Sequence, residues 1–134
     1  MTDEEFIANF EDGSLGIEFF HHSDHVRVAF LYLCSYPALE ALERFSTSLV
    51  RFAATHGKPG LYHETITWAF MFLIRERIAR AGHQQTWSEF AACNGDLLSW
   101  KENILKKYYR DETLHSDLAR NTFLFPDKIS TQPW

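Results

Sequence analysis

The sequence predicts an all-α fold: a compact single-domain bundle of about five helices joined by short up-down connections. Three observations carry that expectation. Apolar residues recur at three- and four-residue spacing through most of the chain, helix punctuation falls between these periodic stretches, and no segment alternates as a strand would. The 134 residues suit one domain, and a content of 46% hydrophobic and 16% aromatic residues supplies its core.

Phe6, Ile7 and Phe10 stand at helical spacing before Asp12-Gly13-Ser14, which predicts a short leading helix over 3–10. The apolar stretch 15–20, interrupted by Gly16, reads as an irregular lead-in, so that 1–20 forms an N-terminal helix and its connection. Ser23 or Asp24 is the expected N-cap of the first long helix. That helix must stop by about Tyr36, because the residue before Pro37 is disfavoured in helical backbone.

Pro37 then opens a helix over 38–56 as a first-turn proline. Leu39, Leu42, Phe45, Leu49 and Phe52 mark its core face. Gly57 is its stop signal within the turn Gly57-Lys58-Pro59-Gly60. A helix over 62–81 follows, ended by Gly82, with Ile66, Phe70, Leu73, Ile74 and Ile78 facing inward. Thr86 and Glu89 form a capping-box pattern that starts the next helix, which breaks at Asn94-Gly95 and resumes from Leu97 or Leu98 to Tyr109. A last helix is expected from Leu114 to about Phe123, and 126–134 forms an extended tail whose Trp134 is expected to tuck back onto the body.

A net charge of −5 and the absence of a Lys/Arg stripe argue against a nucleic-acid surface. The longest apolar run is far short of the roughly 20 residues a membrane-spanning helix needs. The acidic start Met1-Thr2-Asp3-Glu4-Glu5 lacks the pattern of a secretory signal, so a soluble cytoplasmic protein is expected. Cys34 and Cys93 both fall in helical stretches and are expected as buried thiols. Trp68, Trp87, Trp100 and the twelve phenylalanines are expected as core, with an aromatic-walled pocket between helices as a usual place for a ligand.

The chemistry-bearing residues gather by topology. Sequential helices with short loops run antiparallel, so the helices starting near Ser23 and Tyr62 begin at the same end. This brings His21, His22 and His25 level with His63 and Glu64, and places His56 and Lys58 at that height. A single returning rod over the stretch before Tyr109 would add Glu112 and His115, leaving only His83 of the seven histidines at the other end. His25 and His63 lie on the apolar faces of their helices, and His21 stands one turn before His25.

Converging neutral imidazoles suit a divalent transition metal such as Zn, Fe, Cu or Ni. The expected ligands are His25, His63 and His21 or His22, with Glu64 as a fourth donor, a hold on a ligand, or the general base on bound water. Tyr62, Thr67, Arg27 and Lys58 are candidate supporting or substrate-orienting groups, and His115 is the next histidine in line to join.

Thr67 stands where a His-Glu-x-x-His zinc motif needs its second histidine, which removes that pattern. Ser23-Asp24-His25 has the letters of a serine triad, but adjacent residues do not converge as that chemistry requires. Gly57-Lys58-Pro59-Gly60 lacks the preceding strand and following Ser/Thr of a phosphate loop. The plan, a small helical bundle with histidines from two helices, is loosely similar to that of the DinB-like metal-binding proteins. Here the histidine group precedes the single histidine, the reverse of that family's order, and no residue or activity is carried over.

The leading expectation is a metalloenzyme of hydrolase, lyase or oxygenase type acting on a small organic substrate. Two alternatives stand beside it: a metal-free binding protein for a small ligand, and a homodimeric interaction module whose surplus apolar surface is buried between copies.

Overall fold

A computed structural model describes residues 1–19 and 21–128 and shows an all-α fold with no strand among them. The expected packing of Trp134 lies outside the described residues. Helix α1 (Asp3–Asp12) is capped by Thr2, whose hydroxyl accepts from the Glu5 N–H at 3.1 Å, and Asp3, Glu4 and Glu5 load its first turn with charge favourable to the dipole. Phe6 and Phe10 are its buried residues, and the Phe10 ring lies 6.2 Å from that of Phe45 and 5.3 Å from that of Phe52.

Helix α2 (His22–Ser35) starts earlier than expected, with His21 as its cap residue. Asp24 sits three residues on, and its carboxylate accepts from the His21 N–H at 3.2 Å. The helix ends where Pro37 requires, with Tyr36 in extended backbone. Pro37 itself is the cap of α3 (Ala38–Thr55) rather than its first helical residue.

The core face of α3 holds Ala41, Leu42, Phe45, Ser48, Leu49 and Phe52, whereas Leu39, expected on that face, is 78% exposed. Leu39 lies in the first turn of the helix, to one side of the line through Phe45, Leu49 and Phe52. Gly57 takes φ +70°, and the Lys58 N–H reaches the Ala53 carbonyl at 2.8 Å while the Gly57 N–H reaches that of Ala54 at 3.0 Å. These paired bonds close α3 in the manner that calls for a glycine.

Helix α4 (Glu64–Ala81) runs back alongside α2 and ends at Gly82, φ +75°. Its buried residues include Thr65, Thr67, Phe70, Met71 and Ile74. The Thr65 hydroxyl lies 2.7 Å and 2.8 Å from the Ala119 and Thr122 carbonyls and accepts from the Leu124 N–H at 3.1 Å. One hydroxyl thereby fastens the C-terminal segment to the bundle.

The expected box between Thr86 and Glu89 starts α5 (Trp87–Cys93). Asn94 breaks it: the buried side chain donates to the Phe90 carbonyl at 2.8 Å and accepts from Arg77 at 2.8 Å. Helix α6 (Gly95–Leu98) is one turn long and does not resume to Tyr109. Ser99 is extended, and the Asn103 side chain accepts from the Leu105 N–H to start a 3-10 turn at Ile104–Lys107, so local side-chain bonding displaces the helix. The expected last helix is likewise split into α7 (Asp111–Leu114) and α8 (Asp117–Asn121), because Ser116 caps the second by accepting from the Ala119 N–H.

Cys34 and Cys93, expected to be buried, are both exposed; each stands near the end of its helix, off the inward stripe. No helix among the described residues is long and apolar enough to cross a membrane.

Candidate functional site

Because α2 and α4 point the same way, their first turns face one another at one end of the bundle, beside the loop that leaves α3. A cleft of about 690 Å³ opens there. His21, His22, His25 and His63 all line it, so these four residues stand at the same end of the bundle. The other walls come from Leu49 and Ala53 of α3, Ile66 and Thr67 of α4, the 60–62 loop, Leu98, Trp100 and Arg120. A second, much smaller chamber of about 50 Å³ is bounded by Val26, Ala29, Phe70, Met71 and Ile74; His22, His25, Leu49, Ile66 and Thr67 border both spaces.

The imidazoles differ in what they hold. His63 caps α4: its Nδ1 accepts from the Ile66 N–H at 3.1 Å, which leaves the proton on Nε2 to be donated to the Leu114 carbonyl at 2.7 Å. Both ring nitrogens of His63 therefore serve the backbone, in the neutral form. His22 donates from Nε2 to the Leu97 carbonyl at 2.8 Å, and its ring lies edge-on to Phe70 at 4.6 Å and 5.2 Å from the Trp100 ring. His25 faces both the cleft and the chamber below. His21 is exposed at the rim.

Electrostatics keep the inner rings neutral. Burial pushes His25 down to about 4, and a proton on neighbouring His22 or His21 would push it the same way. Burial also lowers His22 against the pull of the Leu97 carbonyl. It lowers His63 too, where the Leu114 carbonyl opposes it and the nearby Arg120 charge adds to it.

Among the described residues, no group of three or more His, Cys, Asp or Glu side chains comes together as a set that could hold a metal ion. The reason lies in the partners just given, since His63 and His22 aim Nε2 at backbone carbonyls of distant segments. Glu64 does not line the cleft. Its Oε1 accepts from the Tyr62 hydroxyl and from Trp68 Nε1 at 2.9 Å, and burial with this carboxylate contact pushes the Tyr62 hydroxyl up to about 12. Of the expected supporting groups, Tyr62 and Thr67 do line the cleft. Arg27 instead pairs with Asp3 at 2.7 Å and lies over the Phe6 ring, away at α1.

His56 donates from Nε2 to the Leu15 carbonyl at 3.0 Å and packs on Phe52, while His115 stays exposed and donates from Nδ1 to the Asp111 carbonyl at 2.8 Å. Trp100 and Arg120 are among the cleft residues that were not expected there. Trp100, read as core, is 52% exposed and forms part of the wall. Arg120 reaches back from α8 to donate from Nη1 to the Gly60 carbonyl at 2.5 Å and the Tyr62 carbonyl at 3.3 Å.

Comparison with protein-family models, with curated proteins and with solved structures finds no match to the chain.

Proposed function

We propose that the protein binds a small organic ligand in the histidine-walled cleft, without a metal, and that its inner histidines build and line that cleft. The observation that carries this is a concave space of about 690 Å³ whose walls mix apolar side chains with a few polar groups fixed by backbone bonds. That size and composition suit a small-molecule site, which typically spans roughly 300–1,000 Å³. The test is ligand-induced stabilisation of tag-free protein against heat, with and without chelator. Stabilisation that chelator leaves untouched supports binding without metal; no stabilisation across a broad set of small apolar and amphipathic compounds removes the proposal.

The competing proposal is a metal-dependent enzyme at the same end, with His25, His63 and His21 or His22 as ligands and Glu64 as base. The approach of four imidazoles to one cleft favours it. It requires His63 to release the Leu114 carbonyl and Glu64 to leave Tyr62 and Trp68, and elemental analysis of the native protein decides it. We also propose a cytoplasmic location and self-association as a homodimer, the latter supported by the exposed Leu39, Phe72, Leu118 and Phe125; light scattering over a dilution series tests it.

A further inference from the structure

We infer that the cleft selects an amphipathic organic monoanion, a carboxylate carried on a flat or chain-like apolar body. This rests on the proposal that the cleft is the binding site, and it names what the site prefers.

The first observation is a charge imbalance. The chain carries 18 acidic against 13 basic residues, yet none of the described residues lining the cleft is Asp or Glu. Among the described residues, Arg120 is the one Lys or Arg that lines it. Arg120, half-buried, has no carboxylate partner among the described residues; Arg51, Arg75 and Arg110 also lack one, but none of them lines this cleft. Its Nη1 is held by the Gly60 and Tyr62 carbonyls, which fixes the guanidinium at the cleft wall without neutralising it. A partly desolvated, fixed guanidinium is a receptor for a carboxylate, because the fork of N–H donors matches the two oxygens and the low-dielectric wall strengthens the attraction.

The second observation is the backbone field. The 14-residue α2 and the 18-residue α4 both begin at the cleft. The first-turn carboxylates Asp24 and Glu64 offset part of their positive dipole ends, but neither lines the cleft, Asp24 accepting from the His21 N–H and Glu64 from Tyr62 and Trp68. The third is the apolar lining. Leu49, Ala53, Leu61, Ile66, Leu98 and the half-exposed Trp100 give a hydrocarbon or aromatic body somewhere to lie. A single fixed cation matches one negative charge, which favours a carboxylate over a dianionic phosphate.

The experiment is calorimetric titration of the protein with 1-naphthoate, the neutral 1-naphthylmethanol and the cationic 1-naphthylmethylamine, and with the pair octanoate and octanol. The expected result is that each carboxylate binds at least about tenfold tighter than its alcohol, the scale of one charge-assisted hydrogen-bonded contact, and the amine weakest. Arg120→Gln is expected to bring the ratio of naphthoate to alcohol affinity to about one, and Arg120→Lys to keep part of the preference. If Arg120→Gln does not fold, the wild-type ratios decide alone. Alcohols that bind as tightly as the carboxylates overturn the anion preference and leave the cleft as a binding site. If no probe of either charge binds, the cleft proposal falls together with it.

Discussion

His63 Nε2 donates to the Leu114 carbonyl across 2.7 Å, tying the first turn of α4 to the end of α7, 51 residues later in the chain. The same ring caps α4 through Nδ1. An inward histidine at a helix start is thereby accounted for by the backbone alone, and removing it should cost both bonds. His63→Ala is expected to destabilise by about 1–3 kcal/mol in urea melts, and His63→Asn, which keeps an N-cap oxygen but not the long reach, by less. Equal losses for the two variants would show that the cap contributes nothing.

Thr65 makes the neighbouring anchor. Thr65→Val keeps the shape but leaves the Leu124 N–H without its acceptor and the Ala119 and Thr122 carbonyls without their donor, at an expected cost of about 2 kcal/mol. Hydrogen exchange should accelerate most in α8 and at Leu124. A uniform acceleration across all helices would contradict a local fastening role.

How much of this was legible in the sequence follows from which interactions are local. Pro37, Gly57, Gly82 and the Thr86–Glu89 box act within a turn of where they stand, and the ends of α3, α4 and α5 fall where those residues put them. The gathering of His21, His22, His25 and His63 was also legible, because it needs only short loops and antiparallel helices. What each ring bonds was not. The partners of His22 and His63 are carbonyls of Leu97 and Leu114, and a carbonyl leaves no mark in a sequence. Arg120 likewise reaches the cleft only after the stretch beyond Leu98, broken by Asn103 and Ser116, wraps back over α4.

Acid should weaken the fold through His25. Its pKa falls from 6.5 when exposed to about 4 in the folded state, so the unfolded chain binds the extra proton between those values. Its contribution is complete above about pH 6.5 and lost as the pH falls toward 4, to a total of roughly 3 kcal/mol. His22 and His63, also lowered by burial, push in the same direction. Urea melts stepped from pH 7.5 to 4 should show a shallower loss for His25→Gln than for the wild type. Parallel curves would show that His25 does not titrate as described.

Metal removal is expected to change nothing. Tag-free protein treated with chelator should keep its melting temperature and its affinity for 1-naphthoate, checked by calorimetry before and after treatment. A stoichiometric transition metal in the native protein, lost in both His25→Ala and His63→Ala, would instead support the metalloenzyme proposal.

The most direct test of the cleft itself is a titration of chelator-treated, 15N-labelled protein with 1-naphthoate followed by NMR. Saturable shifts concentrated at the Trp100 indole N–H and the amides of His22, Ile66 and Thr67 are the predicted result. Saturable shifts centred instead on Cys34, Arg75 and His83, which line a separate hollow at the far ends of α2 and α4, or no saturable shift at all, would contradict it.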